Sequence, residues 1–147
     1  MNHERDAALG RFAELGFTGV EVYLAELIPA IEMAWADGEV QANERALLEA
    51  YCEALVNELN RQAGARLFSV GRARKHLQHL LRRRLTPPER GAALWALRVW
   101  SKGPSGHLMR QRIVEWSEAV AAVDGSPVWD TRELFWLQSV KRTLDVV

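Results

Sequence analysis

Apolar positions along the chain recur at helical spacing. Val22, Leu24, Leu27, Ile28 and Ile31 cluster at steps that fit one face of a helix, and Leu47, Leu48, Tyr51, Leu55 and Leu59 form a stripe at steps of three and four. Leu94, Leu97 and Trp100 repeat the pattern, as do Leu108, Ile113, Trp116 and Val120, and then Trp136, Leu137, Val140 and Leu144. No segment alternates apolar and polar residues over strand length, and the glycine and proline clusters fall between the helical stretches. The pattern predicts an all-α fold: a single-domain bundle of about seven helices.

Punctuation sets the predicted boundaries. Asn2 caps a first helix over 3–15, which Gly16 ends. Thr18, with Glu21 three residues on, reads as a capping box, and Pro29 predicts either a kink or a restart near Ile28. A third helix runs over about 42–60, with Gly64 as terminator. A fourth starts from Ser69, and Leu67, Phe68, Leu77, Leu80, Leu81 and Leu85 help it dock. Thr86-Pro87-Pro88-Glu89 combines a cap, a proline at the first helical position and a capping-box acid. That fifth helix breaks at 102–106, a sixth covers about 107–123, and a last one starts after Asp130 or Thr131. Short connections predict antiparallel packing of sequential helices.

Two of these helix-turn-helix units share one design. IEMAWADGEVQANERALL, residues 31–48, has a degenerate copy in WSEAVAAVDGSPVWDTRELFWL, residues 116–137. Aligning Asp37 on Asp124 puts Ala34 on Ala121. Two extra residues in the second turn then place Glu44 on Glu133, Leu48 on Leu137 and Leu55 on Leu144. The chain divides into a first half at about 18–60, a basic connecting helix at about 65–85 and a second half at about 86–147.

The acidic turns admit two readings. Calcium, magnesium and manganese take hard oxygen ligands, and carboxylates from a tight turn and the following helix can converge on one ion. Asp37, Glu39 and Glu44 could supply one site and Asp124, Asp130 and Glu133 another, or all six could share one cluster. The spacing of an EF-hand loop is absent from both turns. In the other reading Gly38 and Gly125 are left-handed helix ends, Asp37 and Asp124 accept turn amides, and Glu44 and Glu133 sit in first helical turns.

Ala34-Trp35-Ala36-Asp37-Gly38-Glu39-Val40, with Glu44 and Leu47-Leu48 after it, resembles the hallmark of the TerB-like family, the tellurite-resistance TerB proteins and their relatives. Thr86 to Arg90 is similar to that family's middle segment, and Asp124-Gly125 with Glu133 to its second half. The resemblance implies an all-helical domain of two related halves whose acidic turns bind a divalent cation. It further implies a non-enzymatic role in tellurite and other stress responses, exercised through protein partners near a membrane. This chain departs from the pattern in the 102–106 loop and in the lengthened turn at 126–130.

Composition changes the picture little, but charge does. With 147 residues the chain can bury about 68–70% of its unfolded surface and needs no staples. One cysteine, Cys52, excludes an intramolecular disulfide and suggests a reducing compartment. No signal-like start or membrane-length apolar run is present, so the expected location is cytoplasmic, or peripheral to the inner face of the membrane as the resemblance implies. The net charge is zero, yet residues 1–60 carry −9 (three bases, twelve acids) and residues 61–90 carry +8 (nine bases, one acid).

The basic stretch, with Arg72, Arg74, Lys75, Arg82, Arg83 and Arg84, offers an interaction surface for protein partners or an anionic membrane surface. A nucleic acid is the least favoured partner, because Phe68 is the only aromatic there to stack on a base. A solvated face, or one neutralised by the acidic half, is the simpler reading. His76 and His79 share a helical face but have no third zinc ligand nearby. Trp95, Trp100, Trp116 and Trp136 are expected in the core, as is Trp35, while Trp129 in the second turn is the candidate for exposure. No phosphate loop or nucleophile elbow appears, so no catalytic residues are assigned. The alternative to the metal-binding stress-response domain is a metal-free scaffolding module that docks through its segregated charge.

Overall fold

The computed structural model of the protein describes residues 3–36, 38–103, 106–123 and 131–146. Among them are seven α-helices: α1 (His3–Glu14), α2 (Ile28–Ala34), α3 (Ala42–Ala63), α4 (Val70–Leu80), α5 (Pro87–Trp100), α6 (Gly106–Ala122) and α7 (Thr131–Leu144). No strand occurs among the described residues. One contiguous apolar core draws on every helix, from Ala8 and Phe12 of α1 to Val140 and Leu144 of α7.

Most boundaries follow the residues that predict them. Thr86 accepts the Glu89 amide at 3.3 Å and Glu89 returns a carboxylate to the Thr86 amide at 2.9 Å, which closes a reciprocal cap on α5. Ser69 accepts the Arg72 amide at 3.0 Å to start α4. Gly64 ends α3 with φ +67°, a left-handed conformation that a side chain would strain.

The segment before α2 departs from expectation. Gly19–Leu27 is a 3-10 helix, and α2 restarts at Ile28 with Pro29 in its first turn, so the proline begins a helix rather than kinking one. Val22, Ala25 and Ile28 form one buried row three apart and Leu24, Leu27 and Ala30 another, the eclipsed spacing that three residues per turn produces. The Thr18 hydroxyl makes no cap bond, which corrects the capping-box reading. Instead Glu21 bonds back to the Thr18 carbonyl through its amide, at 3.2 Å, and its carboxylate turns to Arg72 and His76.

Packing is also less local than short connections predict. The most extensive interhelical contacts join α1 to α5 and α2 to α6, and only α3 with α4 packs closely as a sequential pair. Two contacts fix the direction of the central pair. Arg112 in the first half of α6 holds Glu26, just before α2, and Val123 just after α6 accepts from Asn43, in the first turn of α3 beyond the turn that ends α2. Helices α2 and α6 therefore run parallel, and their turns lie at the same end. The Trp136 indole of α7 donates to the Pro29 carbonyl at 2.9 Å and pins the last helix onto α2.

Three apolar side chains expected inside are not. Leu67, Leu108 and Trp95 are 55%, 66% and 39% exposed, because the buried stripes of α5 and α6 are set by Ala93, Leu94, Leu97, Ile113 and Ser117, and Leu67 precedes α4. Trp136 is buried, whereas Trp35, Trp100 and Trp116 pack on the core's margin. Gly106 is required by a close approach: a Cβ there would lie 1.6 Å from the Ser101 carbonyl oxygen.

Candidate functional site

The first acidic turn is built from the end of α2 and the start of α3. Gly38 adopts φ +102° and donates its amide to the Trp35 carbonyl at 2.9 Å, the left-handed exit expected of that glycine. Glu39 then accepts the Gln41 side-chain amide at 2.9 Å. Glu44, buried to 7% exposure, accepts the Gln41 backbone amide at 2.8 Å, while its own amide goes to Asn43 Oδ1 at 2.9 Å. These bonds are those of a helix start.

Asp37, Asp124, Trp129 and Asp130, four residues singled out in the sequence, lie outside the described residues. Glu133 stands half-buried in the first turn of α7. The margins of the two turns do meet: Asn43 Nδ2 donates to the Val123 carbonyl at 3.5 Å across eighty residues of sequence. Among the described residues no group of three or more His, Cys, Asp or Glu could hold a metal.

The basic segment is largely tied down. Arg72 pairs with Glu21 at 3.3 Å, Arg74 with Glu53 at 3.0 Å, and Arg83 with Glu89 through two bonds of 2.8 and 2.9 Å. The first two join the basic stretch to the acidic half, the neutralising arrangement that the charge pattern allows. Lys75 and Arg82 line an open basic depression on α4 with Arg72, His76 and His79. Arg84 lines a groove between α5 and α7 with Arg90, Arg132 and the 71%-exposed Phe135. No described helix is long and apolar enough to cross a membrane.

Two residues that sequence reasoning missed carry the strongest buried electrostatics. Glu26 is 4% exposed and held by Arg112, whose Nε and Nη2 reach its two oxygens at 2.5 and 2.8 Å. Burial pushes its carboxyl up and Arg112 opposes the shift. Glu32 is 3% exposed, and burial raises its carboxyl from an ordinary 4.5 to about 7 against the pull of the Leu85 amide, Arg90 and Arg84. Among the described residues its Oε1 has no hydrogen-bond partner, and Arg90 Nη1 stops 3.8 Å away. A signal was present: both glutamates interrupt a run, 24–34, whose every other residue is apolar or proline. An acid in such a run has no polar face to turn to.

None of the family models, curated proteins or solved structures compared with the chain matches it.

Proposed function

We propose that the chain is a non-enzymatic, TerB-like stress-response domain that binds a divalent cation weakly where its two acidic turns meet and acts through protein partners. The observation that carries this reading is the Asn43 to Val123 bond, which sets the margins of two turns of one sequence design side by side. Parallel α2 and α6, each leading into its turn, support the same reading. The cation would draw on Asp37, Glu39 and Glu44 of the first turn and Asp124, Asp130 and Glu133 of the second, with calcium, magnesium or manganese as the ions that suit oxygen ligands.

The test is the thermal midpoint of the chelator-stripped protein, repeated with each hard cation at millimolar concentration and on Asp37→Asn. An ion at about a hundred times its Kd adds roughly 2.7 kcal/mol, a rise of several degrees, and the rise vanishes in the variant. No shift with any cation sinks the metal. A metal-free interaction module is then the reading to keep, and one observation already favours it: Glu44 serves as a helix cap. Binding of duplex or single strands at low salt would instead point to nucleic acid on the 72–84 stretch.

A further inference from the structure

A groove of about 570 Å³ runs between α5 and α7 over the end of α2. Pro87, Leu94, Phe135 and Trp136 give it apolar surface, and Thr131, Ser139 and Thr143 add hydroxyls. From Thr131 to Thr143 it follows α7 for about 18 Å at the rise of a helix, which is the length of about five extended residues. Its volume falls within the range of ligand sites, roughly 300–1,000 Å³. Phe135, at 71%, is the most exposed large apolar side chain among the described residues. The fold gains little from a phenylalanine so placed, whereas aromatic side chains are common anchors of contact surfaces.

The charge of the groove comes from arginines. Arg84 has no carboxylate partner among the described residues, and Arg90 gives only Nη1 of its five-donor fork to the Leu85 carbonyl. Arg132 adds a third positive charge from the α7 side. Glu32, the one acid among the described lining residues, is 3% exposed, and burial holds its carboxyl towards the protonated form, so it cancels little of that charge. The cations that surround Glu32 therefore suit an anionic occupant.

We propose that this groove docks an acidic peptide segment of a protein partner, with carboxylates on Arg84 and Arg90 and a large apolar side chain against Leu94, Trp136 and Phe135. A guanidinium matches a carboxylate bond for bond, and an adjoining apolar side chain covers the surface that the arginines leave. A second copy of this chain is the wrong occupant, because a two-fold pairing through the groove would set like arginines against each other. A nucleic acid would answer the arginines but leave the apolar floor uncovered. The inference rests on the reading of the chain as one that acts through protein partners, and it needs no metal.

The test pans a library of random peptides, about ten residues long, against the whole chain in chelator at low salt. Enriched sequences are expected to carry two or more acids around a large apolar residue. In the ¹⁵N-labelled protein they should move the amide signals of Gly91, Leu94, Phe135 and Ser139 saturably. Arg84→Glu and Gly91→Leu should each weaken binding about tenfold or more. The second fills the groove without crowding the fold, since a Cβ at Gly91 would meet nothing within 4 Å. No enrichment, enrichment of neutral or basic sequences, or shifts confined to another surface each overturns the proposal. So does affinity that survives both variants, or a single-stranded oligonucleotide that binds the same residues more tightly. The shifts on the unaltered protein decide the matter even if a variant misfolds. With chelator present throughout, a failure here leaves the cation reading standing, and a failed cation test leaves this one.

Discussion

Glu26 and Glu32 are six residues apart, almost equally buried, and differently treated. At the seam with α6, Arg112 clamps both oxygens of Glu26 and lies 5.6 Å from the Trp116 ring, which itself stacks on Tyr51 at 4.8 Å. At the seam with α5, Glu32 has the Arg90 guanidinium 3.8 Å away, and one oxygen is left bare. Burial drives both carboxyls towards the protonated form, and a completed fork is what opposes it at Glu26. A buried acid with its partner complete is a tie between helices. An acid left one partner short retains free energy that a proton or a ligand can release.

The largest expected effect comes from turning the first case into something worse than the second. Arg112→Met strips Glu26 of its partner and should lower stability by about 3 kcal/mol, the lower end for a broken buried pair because Arg112 is itself 38% exposed. Urea denaturation measures it, and adding Glu26→Leu should recover most of the loss. A parent-like midpoint for Arg112→Met would mean that the clamp is no tie at all.

A somewhat smaller effect is expected from Glu32, with a sign that can be worked out. Its carboxyl titrates near 7 when folded and near 4.5 otherwise, so between those values the folded chain binds more protons than the unfolded one. Stability from this group therefore falls as pH rises through that window and is lowest above 7. Glu32→Gln should match the parent near pH 4.5 and exceed it by on the order of 2–3 kcal/mol at pH 8. A gap that stays constant across the window removes the unusual carboxyl.

The smallest effect is a control on both. Arg74 and Glu53 pair at 3.0 Å with side chains 48% and 47% exposed, and Arg74→Ala should change the unfolding free energy from urea denaturation by less than about 0.5 kcal/mol. A loss comparable to that of Arg112→Met would show that surface pairs, rather than the buried clamp, join these helices.

How much of this was legible depended on how far apart in sequence the deciding residues lie. The α5 cap needs only Thr86 to Glu89, and the end of α3 needs only Gly64, so both could be read directly. The 3-10 geometry of Gly19–Leu27 could not, because the apolar residues there suit either helix and tertiary packing chose the row at spacing three. Thr18 misled for the same reason: Glu21, its supposed partner, is claimed by Arg72 from fifty-one residues away. Glu26 and Glu32 have roles fixed by Arg112, Leu85 and Arg90, none of them near in sequence. Of the acidic turns, the duplication was visible, and so was the capping alternative that Glu44 fulfils.

The parallel packing of α2 on α6 has a consequence for how the chain is made. A ribosome that has released α1 to α4 has delivered a short apolar α2 and an α1 whose main partners, α5 and α6, are still unsynthesised. The α3 and α4 pair, with the 3-10 segment against α3, can settle early. The nascent chain thus carries Ile28, Ile31 and Met33 of α2 without the α6 surface that packs on them until residues 106–122 have been made. Full burial of those three side chains waits for α6, and truncations that end before α6 should be substrates for chaperones rather than small folded domains.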